Sequence, residues 1–451
     1  MKTYLPLISI SILVLFIACS KEDNIHALDL GVNYKSNILG FVTDEDSLPI
    51  EGAMVNYNGS VKLTDKHGVY AFTNVDVNSK NSFIKIAKSG YFDSGRSFST
   101  GNSSNIRVSN ILSRKLFDLN FDSNSNGGTG TNEFQVLFQE NSLLYEQNTS
   151  LFKGFFEIAG KYIDPTQVDM SSKMPGNLNG ISNSNEISKL TPYGIINIDL
   201  QTTKGEKLIL QPGKQIKLSL LIPPTLVFNT PSSISMWYFN DSLGYWIEEG
   251  KSVLTGNTYQ GNIKHTGCWC YASSKPSVNI FGRLTDQFGI PLSSELKITK
   301  SHEEIGTYIH TNIDGSFSSP VNKDEYFTIY TYFQASGGNL YYKVYSFGPY
   351  IKDIAIEPMQ INFYDPGTYS FKATFKDCKD NLIQNGYVKI IQGTDSHYFQ
   401  IINGQVEASF RTFDINVSSI ITALNLDNFT ETIPVNLIGS GLHDLGVVII
   451  C

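Results

Sequence analysis

The seven histidines are the first place to look for chemistry, and their nearest approach to a metal cluster is His302-Glu303-Glu304 followed by His310. Zinc hydrolysis needs His and carboxylate ligands at close spacing and a Glu to act as base. None of His26, His67, His265, His302, His310, His397 or His443 opens a His-Glu-x-x-His, so the stretch reads as a polar strand pair and turn. A serine hydrolase holds its nucleophile on a constrained turn, and no Gly-x-Ser-x-Gly occurs. Glu248-Glu249 is the tempting pair for glycoside cleavage. Neighbours on a strand point to opposite faces, so the two cannot address one substrate without a bulge. Asp44, Glu45, Asp46 and Asp65 offer hard oxygens of the kind calcium takes, but without an EF-hand signature they read as solvated turns. The chain is therefore expected to be non-enzymatic, with no catalytic residue, no metal ligand and no cofactor.

Binding chemistry is better represented. Trp237, Tyr245 and Trp246 are candidate ligand contacts, and Tyr326, Tyr330, Tyr332, Tyr341, Tyr342, Tyr345 and Tyr350 form a second aromatic run. Such rings stack on sugars or partner proteins, or else pack across strands in a core. Apart from Cys19 the cysteines are Cys268, Cys270, Cys378 and Cys451, an even number suited to an oxidising compartment. Cys378 and Cys451 lie at the ends of the first and last strands of one small module and are the preferred disulfide. Cys268 and Cys270 share a strand face with Cα atoms about 7 Å apart, beyond easy bridging, and read as buried thiols or a link elsewhere.

These residues sit in a chain built for strands. Of 451 residues 41% are hydrophobic, 12% aromatic and only 17% charged, which suits half-buried pleated faces and exceeds one core. A net charge of −8 with no basic patch argues against nucleic acid. The N-terminus opens with Met1-Lys2 and an apolar run, Leu5 to Ala18, too short to span a bilayer. Phe16-Ile17-Ala18-Cys19 resembles a bacterial lipobox, which implies a signal peptide over 1–18 and a lipid on Cys19 that holds the chain to a membrane. Ser20-Lys21-Glu22-Asp23 resembles the export signal of Bacteroidetes lipoproteins carried to the cell surface. The expected address is the outer membrane, exposed outward, with 19–36 as a tether.

The module at 37–120 shows Gly40-x-Val42-x-Asp44, Pro49-Ile50-x-Gly52-Ala53-x-Val55, Thr64-Asp65-x-x-Gly68-x-Tyr70-x-Phe72 and Lys88-x-Gly90-Tyr91-Phe92. This pattern resembles the carboxypeptidase regulatory-like domain, a small Greek-key sandwich shaped like transthyretin, and implies fold rather than activity. The skeleton returns at 276–365 through Thr285-Asp286, Pro291 and Asn312-Ile313-Asp314-Gly315. It returns more loosely at 366–451 through Asp377, Asn385-Gly386-Tyr387 and Asn403-Gly404. Unequal separations imply beads rather than a stacked solenoid. The final Leu445 to Ile450 run is continuously apolar and reads as buried on both faces. Residues 121–133, rich in Gly, Ser and Asn, read as a linker.

Between the copies, 134–275 carries strands alternating at Ile196, Ile198, Leu200 and at Ile216, Leu218, Leu220. Its Met174-Pro175-Gly176, Tyr193-Gly194, Met236-Trp237-Tyr238-Phe239 and Gly244-Tyr245-Trp246 strings resemble a β-rich region of bacterial surface lipoproteins, related to one in the astroprincin and cartilage intermediate layer families. Periodicity leaves the Phe152 to Gly160 segment open between helix and strand, and the resemblance makes it a strand. The expected fold is all-β, several Greek-key sandwiches of transthyretin or Ig type in tandem. The expected role is a cell-surface scaffold, structural, adhesive or ligand-binding, with an extracellular protein or glycan as partner. The alternative is a glycan-binding accessory of a polysaccharide uptake system.

Overall fold

The computed structural model describes residues 31–99, 103–301, 306–334, 340–363, 367–393, 395–412 and 418–451. Cys19, its signal segment, most of the tether and His302-Glu303-Glu304 lie outside them. The regular structure of the described chain is almost all strand, its helical pieces being Met170–Lys173 and Pro224–Asn229.

In the first sandwich the central strand Asn33–Asp44 lies between Val69–Asn78, antiparallel, and Asn105–Leu112, parallel. A second sheet, in the order Ser60–Leu63, Met54–Tyr57, Ser82–Ala87, Ser94–Phe98, closes over it. Alternation decides what is inside: Ile84 and Ile86 point inward and join Val42, Val55, Phe72 and Val108 in one core. Each such buried side chain contributes roughly 1.5–3 kcal/mol relative to exposure.

The same topology recurs twice. Gly267–Asp286 is flanked by Ser316–Asn322, antiparallel, and by Ile354–Ala355 and Met359–Ile361, parallel. Gly367–Asp377 is flanked by Gln405–Thr412, antiparallel, and Gly441–Ile450, parallel. The corners explain why three different sequences trace one path. Asp44, Asp286 and Asp377 each end a central strand, and each uses Oδ1 to accept the backbone N–H groups two and four residues ahead. At the second corner the carbonyls of Gly68, Gly315 and Gly404 accept from Val42, Leu284 and Phe375. These glycines have φ of 71°, 75° and 75°, and a Cβ on Gly68 or Gly315 would lie 2.3 Å from the carbonyl oxygen of Val42 or Leu284. Only glycine fits there.

The middle region is one long sheet that rolls over on itself. Tyr271 Oη donates across the interior to the Leu218 carbonyl at 3.0 Å, and Tyr162 Oη to that of Leu221 at 2.9 Å. Phe156, Ile158, Ile196, Leu218 and Trp269 fill the space between. The phenylalanine-rich segment is a strand, Phe155–Ile163, as expected.

Four features differ from the sequence reading. Residues 121–133 are strands joined by turns rather than a linker: Phe117–Asp122 pairs with Phe155–Ile163, and Gly127–Gly130 pairs with Phe134–Phe138. The glycines there serve close backbone approach, since a Cβ on Gly128 would lie 1.7 Å from the Val136 carbonyl oxygen. The boundary expected at 275–276 falls inside the unbroken strand Gly267–Asp286, whose first half belongs to the middle sheet and whose second half belongs to the next sandwich. The last strand is not buried on both faces. It is the edge of its sheet, with Ile450 inside and Leu442, Val447 and Ile449 exposed. Nor are the copies separate beads: Leu39, Val69 and Ala71 on the outer face of the first sandwich are buried with Tyr387, Leu424 and Leu426 of the third.

Candidate functional site

The carboxylates at the corners are spent on cations and hydroxyls elsewhere in the fold. Asp44 Oδ2 pairs with Arg114 Nη2, Asp46 Oδ2 lies 3.0 Å from the same atom, and Glu45 Oε1 is 2.6 Å from Lys161 Nζ of the middle region. Desolvation alone would raise the Asp44 carboxyl, but the N–H groups of Leu48 and Asp46 and the Arg114 guanidinium hold it below the usual range. Asp65 Oδ1 accepts from the backbone of His67 and Val69, while Oδ2 accepts the Tyr387 hydroxyl of the third sandwich at 2.6 Å. Asp286 Oδ2, fully buried, meets Arg411 Nε, joining the second sandwich to the third. Lys80 meets Asp353, joining the first to the second. Asp65 and Asp286 thus each shape their own turn with one oxygen and hold a neighbouring module with the other.

Glu248 and Glu249 diverge as the strand geometry requires. Glu248 Oε1 accepts from Ser235 Oγ at 2.6 Å and Oε2 from the Asn183 N–H at 2.9 Å. Glu249 Oε2 is 2.9 Å from His265 Nε2 instead. The register shifts beside them, between Ser235 and Trp237, yet the two carboxylates keep separate partners. Desolvation pushes the half-buried His397 imidazole down to about 4, and the His310 imidazole, although its side chain is 49% exposed, is lowered by desolvation and by Arg107 and Arg96. Among the described residues no three His, Cys, Asp or Glu side chains converge as a metal site.

Of the aromatic candidates, Trp237 and Trp246 are fully buried and cannot contact a ligand. Their indole N–H groups donate to the Ala272 and Asn177 carbonyls inside the protein, and both rings belong to the core around Cys270 and Met174. Tyr245 is half-buried, and burial pushes its hydroxyl up to about 12. The ring-bearing face lies on the second sandwich instead. Tyr308, Lys297, Tyr330 and Val344 are cross-strand neighbours, as are His310, Glu295, Tyr332 and Tyr342 in the next row. Tyr330 and Tyr332 lie nearly parallel at 11°, Lys297 Nζ sits 5.8 Å from the Tyr330 ring, and Tyr342 is 68% exposed. The tyrosine spacing was visible in sequence. Which tyrosines share the open face became clear only from the pairing register.

Cys378 and Cys451 have sulfurs at bonding distance and Cα atoms 5.3 Å apart. Cys268 and Cys270 are free and buried, and desolvation raises both thiols. A groove of 760 Å³ runs between the first sandwich and the middle region, lined by Lys88, Tyr91, Asp93, Lys115, Asp199 and Lys207. Lys115 Nζ stands 2.7 Å from Asp199 Oδ2 within it, while Lys207 and Asp93 pair with Glu146 and Lys85 outside the lining.

No family model and no curated protein matches the chain. Solved structures overlap it loosely. A Streptococcal ancillary pilin is 9% identical over 50% of this chain and 95% of its own, with a TM-score of 0.16. A DUF3823 family protein from Parabacteroides merdae is 12% identical over 36% of this chain and 99% of its own, at 0.17. The major pilin subunit of Bacillus cereus is 9% identical over 92% and 99%, at 0.14. Overlaps this loose carry no argument about function.

Proposed function

We propose that this chain is a non-enzymatic scaffold displayed at the cell surface, anchored through a lipid on Cys19 to the outer membrane, and adhesive through the open tyrosine face of its second sandwich. The observation behind this reading is the use of the corner carboxylates. Asp65 and Asp286 at the corners, together with Asp353 outside them, tie one module to the next, which suits a rigid arm that holds a face away from its anchor. The disulfide between Cys378 and Cys451 belongs to the same reading, as a lock on the module farthest along the chain. Protease shaving of intact cells tests the display: digestion of the chain while a periplasmic marker survives is expected, and full protection would overturn surface exposure. Loss of radiolabelled palmitate in a Cys19→Ala variant tests the anchor.

A glycan partner is the second reading, favoured by the near-parallel Tyr330 and Tyr332 rings beside exposed Tyr342. Binding on a glycan array that disappears in Tyr330→Ala/Tyr342→Ala supports it, and an array with no signal in the intact chain removes it.

A further inference from the structure

A cavity of 110 Å³ lies where three modules meet. Its walls come from the strands Ser94–Phe98 and Asn105–Leu112 of the first sandwich, from 171–178 of the middle region, and from Thr307–His310 and Phe317–Pro320 of the second sandwich. Arg96 and Arg107 are both among the residues that line it, and among the described residues no carboxylate is. Neither arginine has an ion pair there. Arg96 Nη1 donates to the carbonyls of Ser171 and Gly176, and Arg107 Nη1 reaches Ser293 Oγ at 3.3 Å while the group lies 4.8 Å over the Phe41 ring.

Two polar atoms of the lining residues have no hydrogen-bond partner among the described residues. Arg107 Nε and Ser171 Oγ are both buried without a hydrogen bond, and Ser171 is only 4% exposed. An orphaned buried donor costs free energy comparable to a lost hydrogen bond, more when it is charged. Glu295 does not relieve this charge: it faces His310 Nε2 at 3.9 Å and is not part of the lining. The volume is several times the roughly 30 Å³ share of one liquid water, so a small ion fits.

We infer that this junction is a binding site for a tetrahedral oxyanion, sulfate or phosphate, held by Arg96, Arg107 and the Ser171 hydroxyl. Guanidinium presents donors in a planar fork matched to such oxygens, and the hydroxyl adds a third donor. The ligand would touch three modules at once and stabilise their docking, a role distinct from the tyrosine face. His310 also lines the wall, and desolvation, then the nearby Arg107 and Arg96, lower its pKa. The groups facing it are therefore Arg96, Arg107 and Glu295.

Calorimetric titration of the full chain with sodium sulfate and with sodium phosphate, at ionic strength fixed with sodium chloride, tests the site. Saturable binding at millimolar anion is expected, with a rise in Tm that chloride does not reproduce. Ser171→Ala removes a hydroxyl that bonds nothing in the protein, so it should leave the anion-free Tm unchanged or raised and weaken binding several-fold. Arg107→Gln should weaken it by at least about tenfold. A parallel titration with glucose 6-phosphate separates the source: equal affinity assigns the site to an ester group of a larger ligand, and binding of the inorganic ions alone assigns it to the free anion. Absence of saturable heat with both inorganic ions, or equal affinity in wild type and both variants, would overturn the inference.

Discussion

The Tyr387 hydroxyl donates a 2.6 Å hydrogen bond to Asp65 Oδ2 across 322 residues of sequence, inside an apolar patch formed by Leu39, Val69 and Leu424. Both partners are sheltered from water, and burial together with the Asp65 charge raises the Tyr387 phenol far above its ordinary range. Tyr387→Phe keeps the ring and removes the donor, leaving a buried carboxylate oxygen unsatisfied. The expected loss is about 1–3 kcal/mol, read from urea unfolding. An unchanged midpoint would show the contact to be idle.

Arg411 and Asp286 are 6% and 0% exposed at their side chains. Removing the cation alone in Arg411→Met strands the carboxylate, for an expected loss of about 3–5 kcal/mol. The double variant Arg411→Met/Asp286→Asn retains an amide oxygen for the turn N–H groups and should recover part of that loss. If the double variant is no more stable than the single one, the pair is not what holds the two modules.

Acid sensitivity follows from Asp44. Its folded-state pKa lies below the unfolded value of about 3.9, so the stabilisation is fully present above that pH and is lost as pH falls through the folded value. Tm should therefore decline in acid. Asp44→Asn should flatten the decline, and scanning calorimetry between neutral and acidic pH makes the comparison.

The corner glycines offer a graded series. Gly68→Ala and Gly315→Ala meet both a positive φ and a carbonyl oxygen at 2.3 Å, whereas Gly205 has φ 83° with open space around it. The first two should each cost more than about 1 kcal/mol, and Gly205→Ala less. Equal effects at all three positions would remove the close-approach argument.

Cys378 and Cys451 enclose a separation of 73 residues. Cys451→Ser should lower stability by about 2–4 kcal/mol, and peptide mass mapping without reductant should recover the linked pair from the native chain. Free thiols at both positions would refute the bond.

Sequence alone determined the repeated unit, because it is written in local chemistry: an Asp that folds its own turn, a glycine at positive φ, and strands that alternate every second residue. It determined the alternating strands around Ile196 and Ile216 for the same reason, whereas periodicity left Phe152 to Gly160 open and the spacing of Cys268 and Cys270 excluded only a bond between those two. Tertiary structure decided what each outward face meets. Val69-Tyr70-Ala71-Phe72 is apolar on both sides because Tyr70 and Phe72 fill one core while Val69 and Ala71 fill the interface with the third sandwich. The equally apolar Val447-Val448-Ile449-Ile450 lies at an open edge and is half exposed. No local pattern separates those two runs, since burial on the second face depends on a partner hundreds of residues away. Trp237 and Trp246 went inside for the same reason: a strand's sequence fixes which side chains share a face, and only packing fixes which face is covered.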